Sequence, residues 1–193
     1  MGDYERALDN LHTAEKICIE INNRARLARV LEIVGFVHFS RKELELALKA
    51  MKRSVELSRD ASIPVNLASS LNNISLIHLQ LGQVSLALEV LNEAIELISI
   101  ESQTFLARFL GNRAEIYCYL GEFSRAHIDF DEAVHLFESI HDQKGLLEVY
   151  LVKGYDFFAA QKDWKSAYRM YLLAEQILDE YPNQFLRSMG VGI

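Results

Sequence analysis

The sequence predicts an all-α chain built as a solenoid of antiparallel helix hairpins, and three observations carry that prediction. Ala7, Ala47, Ala87, Ala126 and Ala167 stand 40, 40, 39 and 41 residues apart. A short turn recurs just before each of them: Gly2-Asp3-Tyr4, Lys42-Glu43-Leu44, Gly82-Gln83-Val84, Gly121-Glu122-Phe123 and Lys162-Asp163-Trp164. Proline occurs only at 64 and 182, so long helices run without a breaker. A fixed period of this length marks stacked units, each too small to bury its apolar face alone.

The elements follow in order within one array over 1–193. The chain opens on the second helix of a first hairpin, 2–22, and full hairpins are expected at 24–60, 64–100, 102–140 and 143–180. A further helix starts in 182–193. In each second helix the first alanine is followed at i+4 by Leu11, Met51, Leu91, Phe130 or Tyr171, and at i+7 by Ala14, Ser54, Ala94, Ala133 or Ala174. This small, large, small stripe lies on one helical face, where small residues admit a neighbouring helix and the large one fills the remaining volume. In the first helices Gly35 and Gly154 fall where the two helices of a hairpin cross closely, and Ser75 and Ala114 supply the same small volume. The broken ends imply a segment of a longer protein, with apolar helix faces open to end-to-end self-association.

Composition narrows the function classes. Hydrophobic residues make up 50% of the chain and charged residues 24%, the balance of a folded protein with a sizeable core. Lys and Arg number 20 against 27 Asp and Glu, a formal charge of −7, which lacks the phosphate-neutralising footprint of a nucleic-acid binder. No run of about 18 apolar residues suggests a membrane span, and the start is not that of a secretory signal. Cys18 and Cys118 lie far apart in apolar helical contexts and read as buried thiols in a reducing, cytoplasmic setting.

The motifs of catalysis and cofactor binding are absent. There is no phosphate loop, Gly190-Val191-Gly192 lacking a preceding strand, and no nucleophile elbow, zinc-protease histidine pair or calcium loop. His127, Asp131 and His135 share a helix face, but at 1.5 Å rise per residue the histidines stand ~12 Å apart, too far to share an ion. They read as a solvated convex face, so no metal and no cofactor are expected. His38 and His78 occupy equivalent places in consecutive hairpins, as a shared packing role between adjacent first helices requires. Acidic neighbours such as Glu43 and Glu45, or Asp179 and Glu180, read as helix-end and surface charge.

The registered Ala, large and Ala positions, with the turn before them, resemble the tetratricopeptide repeat. The period exceeds the usual 34 by about six, which is similar to the repeats of kinesin light chains, bacterial peptide-sensing regulators and sensory segments fused to signalling enzymes. His38 and His78 replace the first-helix aromatic, no proline closes the hairpins, and the last turn is expected to carry one extra residue. The resemblance implies a right-handed superhelix whose first helices line a concave groove for a protein or peptide. Carried over by position, the ligand-facing residues are Arg29, Glu32, Phe36 and Phe39 in the second hairpin. The third offers Ser69, Asn72, Asn73, Leu76 and Gln80, and the fourth Arg108, Asn112, Glu115 and Tyr119.

Asn73 and Asn112 share one repeat position, occupied by Ile33 and Lys153 in the neighbouring hairpins. An Asn amide both donates to and accepts from a peptide backbone, so the pair reads either as ligand contact or as a cap or inter-repeat hydrogen bond. Glu32 and Phe36 disfavour the grip on an acidic tail that chaperone cofactors of this family use. Two other readings stand beside a binding scaffold: a ligand-sensing regulatory segment of a multidomain protein, and a repeat used for self-assembly.

Overall fold

The computed structural model describes residues 2–98 and 102–181, and the helix expected in 182–193, with Gly190-Val191-Gly192, lies outside them. Among the described residues every regular element is helical: α1 (Gly2–Glu20), α2 (Arg24–Ser40), α3 (Leu44–Asp60), α4 (Pro64–Gln80), α5 (Val84–Glu96), α6 (Gln103–Tyr119), α7 (Phe123–Ser139), α8 (Gln143–Val152), a π segment (Lys153–Ala159) and α9 (Trp164–Glu180). They form two compact units, one within Met1–Ser99 and one within Ile100–Ile193. No helix among the described residues is long and apolar enough to cross a membrane.

The helix ends explain why the turns recur. After α1, α2, α3, α4, α6, α7 and the π segment, a residue in the left-handed region closes the helix: Asn22, Lys42, Ser62, Gly82, Gly121, His141 and Lys162. The following amide then donates back to the carbonyl five residues earlier, as Glu43 does to His38, Gln83 to His78, Glu122 to Tyr117 and Asp163 to Phe158. This pairing satisfies carbonyls that the helix leaves open. Glycine takes the conformation without a Cβ penalty at 82 and 121, whereas Lys162 takes it at φ 61°. Lys162→Gly is therefore expected to stabilise the chain by ~0.5–1 kcal/mol, seen as a rise in the thermal midpoint; a fall would contradict the assignment of strain to that residue.

In the first unit α2 pairs with α3 and α4 with α5, while α1 packs on α2 and α3 on α4. Ala47, Ala87, Ala94 and Ser54 are wholly buried, with Met51 and Leu91 filling the volume between them, and Ala7 on α1 is half-buried. The stripe works as close packing: a Cβ on Gly35 would stand 2.8 Å from the end of Met51. Ser54 Oγ donates to the Ala28 carbonyl at 2.7 Å and lies 2.9 Å from Ser70 Oγ, so a small polar residue at the alanine position ties three helices without leaving a buried hydroxyl unpaired.

In the second unit α6 pairs with α7, and α8 with the π segment packs on α9. Ala126, Phe130 and Ala133 are fully buried, as are Ala167 and Ala174 to within a few per cent, but Tyr171 is 37% exposed, so the fifth large position is only partly covered. Arg113 binds Asp129 with two bonds, 2.7 and 2.9 Å, fixing α6 against α7 through a bidentate pair.

Two expectations are corrected. The extra residue of the fifth hairpin sits inside the helix, because the turn bonds Lys162 to Ala159 and Asp163 to Phe158 in the same pattern as Gly121 to Cys118 and Glu122 to Tyr117. The helix absorbs it as the π segment, the usual form of a one-residue insertion. Besides any packing role, His38 and His78 close their own turns, their Nδ1 atoms bonding Glu43 and Gln83, each at 2.6 Å. Asp131 is not simply solvated, since it accepts from the buried Lys153 of the next hairpin, while His127 stacks on Phe157 with centroids 5.5 Å apart. No group of three His, Cys, Asp or Glu among the described residues could hold a metal ion. Cys18 and Cys118 are free thiols, the first buried and the second half-buried.

Candidate functional site

The residues that the repeat position assigns to a ligand face divide between the two compact units, and the units use them differently. In the first, Glu32 is only 6% exposed and acts as a hub. It accepts from Arg29 Nη1 at 2.7 Å, from Ser69 Oγ at 2.5 Å and, more loosely, from Asn73 Nδ2 at 3.4 Å. The three donors come from α2 and α4, so this polar network joins two first helices, the inter-repeat alternative considered for Asn73. A buried carboxylate is tolerated only when paired in this way. Asn72 is buried on α4, at 4% exposure. Phe36 remains exposed, and with Phe39, Asn73 and Leu76 it borders a cavity of about 20 Å³, room for little more than a water. Lys42 Nζ lies 5.8 Å above the Phe39 ring. Gln80 is exposed at the end of α4 and accepts from Lys42.

In the second unit the corresponding residues of α6 stay on an open face. Arg108 is exposed, Asn112 and Glu115 are half-buried and Tyr119 is 61% exposed. They rise along α6 at spacings of four, three and four residues, the ridge of one helical face. Opposite stand Glu148 and Val152 of α8, and with Arg108, Asn112 and Glu115 they line a shallow cavity floored by Phe130 and Phe137. The backbone at Gly111 is open there: a Cβ would have only Val149, 3.9 Å away, for a neighbour.

One turn further the face widens into a cleft of about 600 Å³ bordered by Cys118, Tyr119, Tyr155, Asp156, Ala159, Ala160, Trp164, Ala167 and Tyr171. Its electrostatics are negative. Burial, with the added field of Asp156, pushes the Glu115 carboxyl up to about 7. Burial raises Asp156 as well. The same two carboxylates, behind burial itself, push the Cys118 thiol up to about 12 and raise the Tyr119 phenol. No cation pairs with Glu115 or Asp156 among the described residues.

Tyr155, Asp156, Trp164 and Tyr171 are absent from the sequence-based site. The signal was present in the repeat register: Phe36, Leu76, Glu115 and Asp156 occupy one position, and Phe39, Leu79, Cys118 and Ala159 another. The second unit thus replaces two bulky apolar positions by acids and small residues.

Residues 26–100 match a family model described as tetratricopeptide repeat. No curated protein sequence matches the chain. Solved structures share its fold at low identity. BtubC (BKLC) from P. vanneervenii has a TM-score of 0.77 at 17% identity, over 94% of this chain and 76% of that one. The putative kinesin light chain repeats of Podosopora anserina, described as TPR-like, give 0.67 at 13% over 93% and 88%. A Rap protein complexed with Competence and Sporulation Factor gives 0.70 at 14% over 94% of this chain and 61% of its own, so the chain spans less than two thirds of that protein. The all-α, tetratricopeptide-like solenoid class read from the alanine period is thereby shown, and the resemblance to the long-period repeats of kinesin light chains with it.

Proposed function

From a tetratricopeptide-repeat match at residues 26–100 within a chain of that fold, we propose that this protein is a protein- or peptide-binding module, and that an extended segment of its partner lies along α6 in the second compact unit. The observation that carries the reading is the ridge Arg108, Glu115 and Tyr119, faced by Glu148 and Val152 across a cavity that no side chain of the described residues fills. In the first unit the equivalent polar groups are spent on one another through Glu32, so Arg29, Asn73 and Ser69 hold helices together. Phe36 and Phe39 remain there as an apolar patch that can support a partner's side chains. A protein of the same fold is a Rap protein complexed with Competence and Sporulation Factor, which supports a binding role in kind.

The α6 ridge suits a polypeptide. From Arg108 to Tyr119 the helix rises ~16 Å, the span of about five extended residues. Arg108 and Tyr119 are residue types that dominate interface energy.

A phage-displayed library of random dodecapeptides panned on the full chain tests the reading. Selected peptides should lose about tenfold or more in affinity for the Arg108→Glu, Asn112→Ala double variant, a loss of the size of one interface anchor, while circular dichroism stays helical with an unchanged melt. Undiminished binding to that folded variant would remove the α6 assignment.

A further inference from the structure

We propose that the aromatic-walled cleft at the end of α6 is a subsite for the charged head of an arginine or lysine side chain carried by the bound polypeptide; this rests on the reading above and names the chemistry of the partner. The walls are Tyr119 from α6, Tyr155 from the π segment, and Trp164 and Tyr171 from α9. Trp164 and Tyr155 are 66% and 69% exposed, an unusual state for rings of that size outside a binding surface. Aromatic faces attract guanidinium and ammonium groups, and their edges accept the apolar stem of the same side chain.

Charge complementarity selects the occupant. Asp156 borders the cleft and Glu115 lies beside it, both partly withdrawn from water and neither paired with a cation. Two such carboxylates repel each other, and a cation placed between them relieves that cost. An acidic or neutral side chain gains nothing there. The first compact unit has Phe36 and Leu76 at the positions of Glu115 and Asp156, and Phe39 and Leu79 at those of Cys118 and Ala159. Exchanging bulk for small residues opens the space, and exchanging apolar groups for acids gives it a sign. The insertion that forms the π segment lies in the same element, Lys153–Ala159, which carries Tyr155 and Asp156. The polypeptide source follows from continuity: Tyr119, which borders the cleft, is also the last residue of the α6 ridge.

Trp164 is the single tryptophan of the chain, so its fluorescence reports on this cleft. The probes are acetyl-Leu-Ala-Arg-Ala-Leu-amide and the same peptide with citrulline, a neutral isostere, in place of arginine. The arginine peptide should perturb Trp164 saturably and bind about tenfold more tightly than the citrulline peptide, the factor expected of a cation held by a carboxylate and an aromatic face. Glu115→Gln with Asp156→Asn should abolish that preference. Equal affinities of the two peptides for the unaltered chain overturn the inference, with no dependence on how the variant folds. Tighter binding of free spermidine than of the arginine peptide overturns the polypeptide source. A dimer in light scattering that the arginine peptide does not dissociate overturns it in favour of a second copy. If panned dodecapeptides bind along α6 while the arginine peptide leaves Trp164 unmoved, this inference fails and the reading beneath it stands; if neither binds, both fail.

Discussion

Gly145→Ala is expected to destabilise the second compact unit by ~3 kcal/mol, at the upper end of overpacking penalties. A Cβ at 145 would stand 2.2 Å from the Phe137 ring, which is buried and held between α7 and α8 with no free end to swing away. The backbone cannot easily retreat either, because the Gly145 amide donates to the Asp142 side chain at 2.9 Å and caps α8. The matched control is Gly111→Ala, where the nearest neighbour is 3.9 Å away. There the methyl makes an ordinary van der Waals contact and glycine's helix penalty disappears, a gain of ~0.5–1 kcal/mol. Thermal melts followed by circular dichroism should move in opposite directions for the two variants. A Gly145→Ala protein that melts with the parent would mean that α7 and α8 are not as closely packed as described.

The second large effect is electrostatic. Because the folded-state pKa of Glu115 is raised to about 7, the folded chain binds a proton there between roughly pH 4.5 and 7 that the unfolded chain has released. Stability therefore falls as pH rises through that window and levels off above about 7, with a ceiling of ~3 kcal/mol. The titratable groups near it are Asp156 on the π segment, Glu148 on α8, and Arg108, Cys118 and Tyr119 on α6 itself; of these, Asp156 adds to the shift behind burial. Glu115→Gln should raise the urea midpoint at pH 8 and leave it near the parent value at pH 4.5. An equal or lower midpoint at pH 8 contradicts the assignment. A basic occupant of the neighbouring cleft favours the ionised carboxyl, so affinity for the arginine peptide should weaken as pH falls from 8 to 6.

The fold was legible because helix crossings demand small residues at a fixed place, and that demand writes a period into the chain. Ala47, Ala87, Ala126 and Ala167 stand out by their spacing alone, and all four are buried. The turns were legible for the same reason, although lysine at 42 and 162 takes the left-handed conformation in place just as Gly82 and Gly121 do. The site was legible only in part. Position alone put Glu32 and Asn72 on a ligand face. What engages Glu32 is the arrival of Ser69 and Asn73 from a helix some 40 residues away, a pairing that no local pattern announces. The cleft escaped for a related reason: the 41-residue interval revealed an insertion, but whether the turn or the helix absorbs it depends on the competition between 6→1 turn bonding and π bonding. The turn kept its bonding pattern, and the helix yielded.

Hydrogen–deuterium exchange on the full chain, with and without a panned dodecapeptide, tests the central claim most directly. The account predicts added protection over 108–119 of α6 and 148–156 of α8 and the π segment, with the outer helices α7 and α9 unchanged beyond the cleft residues Trp164 to Tyr171. Protection confined to α7, or absent from α6 while the peptide is bound, would contradict it.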